Sequence, residues 1–212
     1  MMTDRKYIPA LSLKWLTPFY DSLVDGPMSV MNMRKNLVKR MGELNGKRIL
    51  DVGCGTGSLS ILIKQTYPAA EVVGLDGDPQ ILETARSKSQ KDALEIQFEQ
   101  GMSFELPYPE ASFDVVLTSF MLHHLNREDK QKTALEAYRV LRPGGQLFGV
   151  DFVEPQNPVG KTIQLLVRGF ERVADNFDGF LPTMFRKAGF KGYLETRHYL
   201  FGTISAFQTL KS

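Results

Sequence analysis

The stretch Ile49-Leu50-Asp51-Val52-Gly53-Cys54-Gly55-Thr56-Gly57 decides the fold of this chain. Its first four residues read as a buried strand with an acid near its end, and a turn with glycine at every second position follows at once. A second apolar run, Val72-Val73-Gly74-Leu75, also ends at an acid, Asp76. Two such strands separated by a helical segment predict parallel neighbours in an α/β sheet, joined by a right-handed crossover.

The rest of the chain continues this alternation and then departs from it. Residues 1–46 are predicted to be helical, and the last two strands are joined too tightly for a helix, so they must be antiparallel. We therefore predict an α/β fold: one Rossmann-like, doubly wound, mostly parallel seven-stranded sheet with an N-terminal helical cap and a C-terminal antiparallel hairpin. The predicted single domain, 1–212, comprises the cap (1–46), a cofactor-binding core (47–151), and substrate-side helices with the hairpin (152–212). Predicted strands cover 48–52, 71–75, 95–99, 113–118, 146–150, 193–199 and 203–210, and the main helices cover 58–66, 79–91, 128–141, 159–173 and 181–188.

Composition excludes several functions. The net charge of +2 over 212 residues gives no strong attraction for a polyanion, and the basic pairs Arg34-Lys35 and Lys39-Arg40 are interpreted as the solvated face of a helix. Cys54 is the only cysteine, which excludes an intramolecular disulfide and a cysteine-rich metal site. The sequence shows neither a signal-peptide core nor a run long enough to span a bilayer. We expect a cytoplasmic protein with no nucleic-acid partner and no bound metal.

The glycine turn and the two acids predict the cofactor. Glycine lets a backbone turn sharply and approach a ligand closely, and ligands of open α/β sheets bind beyond the carboxyl ends of the strands. The spacing of Gly53, Gly55 and Gly57 is Gly-x-Gly-x-Gly, not the Gly-x-Gly-x-x-Gly typical of dinucleotide binding. The Asp51 carboxylate would repel a pyrophosphate but attract an ammonium group, and Asp76 can accept hydrogen bonds from both ribose hydroxyls. These features favour S-adenosylmethionine over a nicotinamide dinucleotide.

Five motifs, in this order, resemble those of the class I S-adenosylmethionine-dependent methyltransferases, and above all the type 11 group named after ubiquinone and menaquinone biosynthesis. They occupy 49–57, 72–76, 101–108, 112–116 and 141–145. The resemblance implies that the glycine turn holds the methionyl part of the cofactor, with Tyr20 closing over it, and that residues 101–103 flank the adenine. Methionine stands at 102, where the family usually has aspartate, so backbone and thioether contacts with the adenine are expected there. The implied cofactor-binding residues are Asp51, Gly53, Cys54, Gly55, Gly57, Asp76, Gly77, Gly101, Met102, Ser103, Thr118, Ser119 and Tyr20.

Three residues are candidates for catalysis. His123 and His124 follow the fourth strand, and histidine titrates near neutral pH, so either could act as a general base. The alternative is that they are packed or capping residues, because the family carries histidine here across unrelated substrates. Asp151 ends the fifth strand and could orient or deprotonate the acceptor, or simply cap a loop.

The resemblance implies transfer of a methyl group to a small-molecule acceptor, such as a quinone precursor, a phenol or another small metabolite, with S-adenosylhomocysteine as the product. A phospholipid head-group N-methyltransferase is an alternative, because the amphipathic segment 159–173 could lie at a membrane surface. A protein that binds S-adenosylmethionine without transferring methyl groups is another, and a nicotinamide-dependent oxidoreductase is a third. The residues leave the accepting atom and the oligomeric state open.

Overall fold

A seven-stranded sheet forms the centre of the computed structural model, which describes residues 30–168 and 172–212. The strand order is β3-β2-β1-β4-β5-β7-β6, and β7 runs in the opposite direction to the other six strands. The predicted doubly wound, mostly parallel sheet with a terminal antiparallel hairpin is therefore confirmed. The strands are β1 (Arg48–Val52), β2 (Glu71–Asp76), β3 (Gln97–Gln100), β4 (Phe113–Ser119), β5 (Leu141–Phe152), β6 (Lys191–Tyr199) and β7 (Ile204–Leu210).

Helices lie on both faces of this sheet. Side-chain caps mark the starts of three of them: Asp78 accepts hydrogen bonds from the amides of Gln80 and Ile81, Asn126 accepts from the amide of Asp129, and Asn157 accepts from the amide of Gly160. The helices in the described residues are α1 (Val30–Arg40), α2 (Ser58–Thr66), α3 (Pro79–Lys91), α4 (Arg127–Val140), α5 (Pro158–Val167), α6 (Ala174–Phe177) and α7 (Phe180–Lys187), with short 3₁₀ turns at Leu122–His124 and Leu200–Gly202.

The strands alternate their side chains between two buried apolar clusters, because successive residues of a strand point to opposite faces. Leu50 and Val116 belong to the cluster beneath α4 and α7. Ile49 and Val115 belong to the other cluster, beneath α1 and α2. The order of the strands reverses between β1 and β4, and this switch point is where an open α/β sheet binds its ligand.

Three predicted boundaries are wrong by more than two residues. The N-terminal helical segment, predicted to continue to residue 46, ends at Arg40. The helix predicted over 159–173 ends at Val167, and a separate short helix begins at Ala174. Leu166, in the first of these two helices, is 73% exposed. The fifth strand begins at Leu141 rather than at 146, because Leu141 pairs with Phe113 before a shift in register. In the described part of the chain, no helix has the length and apolar character needed to cross a bilayer.

Candidate cofactor and substrate site

The glycine turn follows β1 at the switch point and is hydrogen-bonded to β2. The amides of Gly53 and Cys54 both donate to the carbonyl oxygen of Leu75, at 2.8 and 3.1 Å. All three glycines of the turn have φ in the left-handed region, at +71°, +54° and +72°, which favours glycine. At Gly53 space is also limiting, because an added Cβ would overlap the side chain of Met121. Met121 therefore packs against the backbone at Gly53, whereas an added Cβ at Gly55 would meet no atom within 4 Å, so the turn is open there.

Asp51 is a buried carboxylate with one oxygen unpaired. It is 1% exposed, and the Ser60 hydroxyl donates to its Oδ2 at 2.6 Å. Its Oδ1 has no hydrogen-bond partner in the described part of the protein. Burial raises the pKa of Asp51 from 3.8 to about 6, against the opposing effects of the Ser60 hydrogen bond and the positive charge of Arg34. A buried anionic oxygen without a donor suits a site that takes a cationic ligand.

Asp76 is held in place at the end of β2 by two backbone amides. Gly55 donates to its Oδ2 at 2.9 Å and Asp78 donates to its Oδ1 at 3.0 Å. Each carboxylate oxygen can accept more than one hydrogen bond, so Asp76 keeps capacity for a ligand. The Asp78 carboxylate is engaged in capping α3 instead. This arrangement leaves Asp76, rather than Asp78, for the ribose contact that the sequence predicts.

The residues expected around the adenine lie next to Asp76. The amide of Gly101 donates to the Asp76 carbonyl at 3.0 Å, and the Gly77 carbonyl accepts from Gln100 at 3.4 Å. Met102 is half-buried, and Ser103 is buried with its hydroxyl 2.9 Å from the hydroxyl of a threonine on α4. The Gly77 and Gly101 backbones therefore sit at one edge with the Asp76 carboxylate, while the Ser103 side chain is tied to a helix.

Cys54 contributes its backbone to the turn but directs its side chain inward. The thiol is buried in a small cluster with Leu82, Ala85 and Phe98. Burial, followed by the nearby charges of Asp51 and Asp76, raises the pKa of the thiol, so it stays protonated. Its role is packing beneath the turn.

Two hydroxyl side chains lie at the end of β4, and one of them contacts an arginine that was predicted to lie on a solvated face. Thr118 is buried, and its Oγ1 has no hydrogen-bond partner among the residues described. The Oγ of Ser119 accepts from Nε of Arg34 on α1, at 3.2 Å. The interpretation of Arg34 as part of a solvated face is therefore wrong, because this guanidinium is half-buried against the edge of the sheet. The missed signal was its position directly beside the buried Met33.

His123, in the turn after β4, and Asp151, near the end of β5, form a buried pair. His123 Nδ1 lies 2.8 Å from Oδ1 of Asp151. Because a carboxylate only accepts, Nδ1 carries the hydrogen and Nε2 has the lone pair. The rings of Phe152 and His124 lie 5.0 and 4.1 Å from the His123 ring, centroid to centroid. The pair therefore fixes both the tautomer and the orientation of the His123 imidazole.

Asp151 has no exposed surface, and its carboxylate oxygens have four hydrogen-bond partners. Beyond His123, its oxygens accept from the amides of Leu122 and Phe152, both at 2.9 Å or less, and from the Asn176 side chain at 3.3 Å. An acceptor molecule cannot reach this carboxylate directly, so its geometry favours orienting His123 over deprotonating a substrate. Asn176 was not found from the sequence, since its partner lies on a distant strand.

A buried lysine also lies near this pair. Lys130 on α4 is 0% exposed, its Nζ donates to the carbonyl of Arg172 at 2.8 Å, and the Asp175 carboxylate is 3.6 Å away. Burial lowers its pKa, against the raising effect of Asp175. Lys130 thus anchors the chain just before α6. The predicted Tyr20 lies outside the described residues, and within them no group of three or more candidate ligands could hold a metal.

A glycine turn, a buried carboxylate beside it and a second carboxylate at the end of β2 thus lie together at the switch point of the sheet. The Methyltransferase domain family matches residues 49–145. A demethylmenaquinone methyltransferase of Listeria monocytogenes is 32% identical over 185 residues, which are 85% of this chain and 73% of that protein. The chain therefore belongs to the class I S-adenosylmethionine-dependent methyltransferases.

Other similarities agree with this membership. A demethylmenaquinone methyltransferase of Thermus thermophilus is 39% identical over 125 residues, 59% of this chain and 56% of that protein. The chain thus spans little more than half of the length of that relative. A solved S-adenosylmethionine-dependent methyltransferase of Aquifex aeolicus has a TM-score of 0.68 at 17% identity, covering 92% of this chain and 98% of its own, and shows the same fold.

The family implies S-adenosylmethionine as the cofactor, and the residues present fit it. The ligand has a cationic amino group, and the site offers the unpaired Oδ1 of Asp51. It has a ribose diol, and the site offers the fixed carboxylate of Asp76. It must pass close to the backbone, and the turn is open at Gly55, where an added Cβ would meet no protein atom within 4 Å.

Proposed function

We propose that this chain transfers a methyl group from S-adenosylmethionine to a small-molecule acceptor of the quinone-precursor class. The observation that carries the proposal is the unpaired, buried Oδ1 of Asp51 beside the glycine turn. The acceptor class is supported by the relatives from Listeria monocytogenes and Thermus thermophilus, which are named demethylmenaquinone methyltransferases.

In this proposal the cofactor is held by residues of three adjacent strand ends. Asp51 accepts from the amino group, Asp76 accepts from the ribose hydroxyls, and Met102 packs on the adenine. The backbones of the glycine turn, of Gly77 and of Gly101–Ser103 line the same cleft, and Thr118 and Ser119 lie beside the methionyl chain. The bound cofactor supplies a methyl group on a positively charged sulfur, which needs no covalent activation by the protein. The protein's main task is then to align the acceptor atom behind that methyl.

His123 is proposed to hold or remove a proton of the acceptor at Nε2, with Asp151 as its positioning residue. An acceptor hydroxyl or activated carbon becomes a better nucleophile when it loses its proton, and imidazole can take a proton near neutral pH. The 2.8 Å contact with Asp151 would stabilise the imidazolium that results. His124, whose ring packs against His123, would shape the same wall of the acceptor site.

The deciding experiment is calorimetric titration of the purified protein with S-adenosylhomocysteine, with NAD in parallel, on wild type and Asp76→Ala. Micromolar affinity for S-adenosylhomocysteine that falls at least about tenfold in the variant, with no binding of NAD, is expected from the loss of charge-assisted hydrogen bonds. A folded protein that binds neither ligand would refute the proposal.

A turnover screen separates an enzyme from a binding protein. Transfer of labelled methyl to quinols, phenols and lipid amines is measured with wild type and with His123→Gln. Binding of the cofactor product without turnover of any acceptor in the screen would favour a non-catalytic role. Turnover of lipid amines alone would favour a phospholipid head-group transferase.

A further inference from the structure

Helix α5 carries exposed apolar residues on its outward side. Val159, Leu165 and Leu166 are 52, 77 and 73% exposed, whereas Gly160 is buried. With about 3.6 residues per turn, Val159 and Leu166 lie on nearly the same side of the helix, and Leu165 lies roughly 100° away. A surface helix ordinarily turns such residues towards the core. Helix α5 instead presents them to its surroundings.

A phenylalanine from the hairpin turn extends this surface. The carbonyl of Phe201 accepts from the Asn157 side chain at 2.7 Å, directly before α5, and Phe201 is 58% exposed. We call Val159, Leu165, Leu166 and Phe201 the α5 patch. With about 200 Å² per large apolar residue, it exposes on the order of 500 Å². A patch of this size is often functional, but it is smaller than the about 800 Å² that each partner of a standard protein–protein interface buries.

The α5 patch lies at the same end of the sheet as the candidate cofactor site. β5 ends at Phe152, which pairs with Ile204 at the start of β7, so the turn at Leu200–Gly202 is at the carboxyl edge of the sheet. The glycine turn after β1 is at that edge too, because β1, β4 and β5 are parallel. Whatever binds the α5 patch is therefore close to the carboxyl ends of the strands.

Cations accompany the α5 patch. Lys161 lies one helical turn before an exposed leucine of the patch, and Arg197 and Phe201 line an open cleft of about 470 Å³ at the start of α5. Neither Lys161 nor Arg197 has a carboxylate partner among the described residues. Arg168, just after α5, is by contrast bonded to both carboxylate oxygens of Asp178. Apolar residues flanked by unpaired cations match the chemistry of an anionic lipid surface, which has phosphates outside and hydrocarbon within.

We propose that the α5 patch docks this protein on the surface of a bilayer that contains anionic lipids. Leu165, Leu166 and Phe201 enter the boundary between head groups and acyl chains, and Lys161 and Arg197 contact the phosphates. The patch is large enough for such shallow insertion, whereas a stable contact with a second copy of the chain needs more area. The inference goes beyond the proposed function and does not depend on it. Docking would bring the carboxyl edge of the sheet close to molecules dissolved in the bilayer.

Co-sedimentation of the whole chain with vesicles tests this assignment. Vesicles of phosphatidylcholine alone are compared with vesicles of an equimolar mixture of phosphatidylcholine and phosphatidylglycerol. The paired substitutions Leu165→Gln and Leu166→Gln remove half of the patch, and Lys161→Gln removes a cation beside it. Leu135→Gln is the matched control, because this leucine of α4 is 48% exposed but lies outside the patch. Thermal unfolding, oligomeric state and S-adenosylhomocysteine affinity are measured for every protein.

We expect the wild type to sediment with the mixed vesicles. The paired leucine variant should bind them at least about tenfold more weakly, because two apolar side chains no longer leave water. Lys161→Gln should weaken binding to the mixed vesicles about fivefold, and added salt should act in the same direction. Leu135→Gln should bind like the wild type. S-adenosylhomocysteine affinity should change less than about twofold in all variants, because none of the substituted residues belongs to the cofactor site.

Other results would contradict the assignment. Wild-type protein that sediments with neither kind of vesicle, or equal weakening by Leu135→Gln and by the paired substitutions, would exclude docking through the α5 patch. A dimer that the paired substitutions convert to a monomer would make a second copy the occupant. Lower thermal stability with unchanged vesicle binding would mean that another part of this chain covers the patch. Absence of S-adenosylhomocysteine binding would overturn the proposed function alone, since the vesicles decide the docking separately.

Discussion

Replacement of Asp51 by asparagine should make the protein more stable at neutral pH while it destroys cofactor binding. The carboxylate is buried, and only Oδ2 has a hydrogen-bond partner in the described residues, the Ser60 hydroxyl. Its ionised form is therefore poorly compensated until a cationic ligand arrives. Removing the charge removes this cost of folding, and it also removes the acceptor that the amino group of the cofactor needs.

The magnitude follows from the pKa. A rise from 3.8 to about 6 means that ionised Asp51 disfavours folding by roughly 3 kcal/mol. The folded state holds the proton more tightly than the unfolded state. The wild type therefore carries none of this cost below about pH 4, acquires it as the pH rises towards 6, and carries all of it above that. Asparagine introduces an unpaired buried donor that costs about 1–3 kcal/mol at every pH, so the net gain at pH 7.5 is about 1 kcal/mol.

Urea denaturation of wild type and Asp51→Asn at pH 4.5 and pH 7.5 measures the effect. The free energy of unfolding of the variant relative to the wild type should increase by about 2 kcal/mol between the two pH values. Asp114 provides a control, because its contribution to stability should change with pH in the opposite direction. Although partial burial alone would raise its pKa, the Arg48 amide and the Arg142 guanidinium hold that pKa below its ordinary value. A stability difference for Asp51→Asn that does not vary with pH would refute the reasoning.

Three further substitutions test other parts of the structure. Gly53→Ala should lower stability and abolish S-adenosylhomocysteine binding by calorimetry, because its Cβ would overlap Met121 at φ +71°; retained micromolar affinity would contradict this. Lys130→Met should lower the free energy of unfolding in urea by about 1–3 kcal/mol, because the carbonyl oxygen of Arg172 loses its buried donor and Asp175 loses an ion-pair partner; an unchanged free energy of unfolding would contradict the anchoring role of Lys130. Gly149→Ala should cost about 1–3 kcal/mol by clashing with Phe207 across β5 and β7. Adding Phe207→Leu should recover part of that loss, whereas strictly additive losses would contradict the contact.

Local signals account for the parts of the fold that the sequence predicts well. The bounds of β1, α2 and α3 coincide with the predicted ones, because strong apolar strands, glycine turns and the Asp78 cap mark them within a few residues. The start of β5 was missed because Leu141 joins the sheet through its pairing with Phe113, a contact between distant residues. The end of α5 was missed because apolar spacing continues to 173 although the helix stops at Val167.

Local signals identify some residues of the candidate site but not others. Asp51 and Asp76 lie at the ends of their strands and the glycines directly follow β1, so spacing alone identifies them. Arg34, by contrast, reaches the site from a helix that precedes β1, and its partner Ser119 is 85 positions away. The role favoured for Asp151 also depends on distant residues, since three of its donors, Leu122, His123 and Asn176, are 29, 28 and 25 positions away. Pairings of this kind leave no periodic trace in a sequence.

The position of β7 between β5 and β6 has a consequence for the order of folding. Among the described strands, β6 pairs only with β7, so it cannot join the sheet until β7 has formed. The hairpin can therefore dock on β5 as a unit, once the turn at Leu200–Gly202 has closed, or β7 can pair first and β6 afterwards. Until then β5 is an open edge with Phe148 and Val150 beside it. Such an edge can pair with another chain, which makes this late step the point at which folding competes most directly with aggregation.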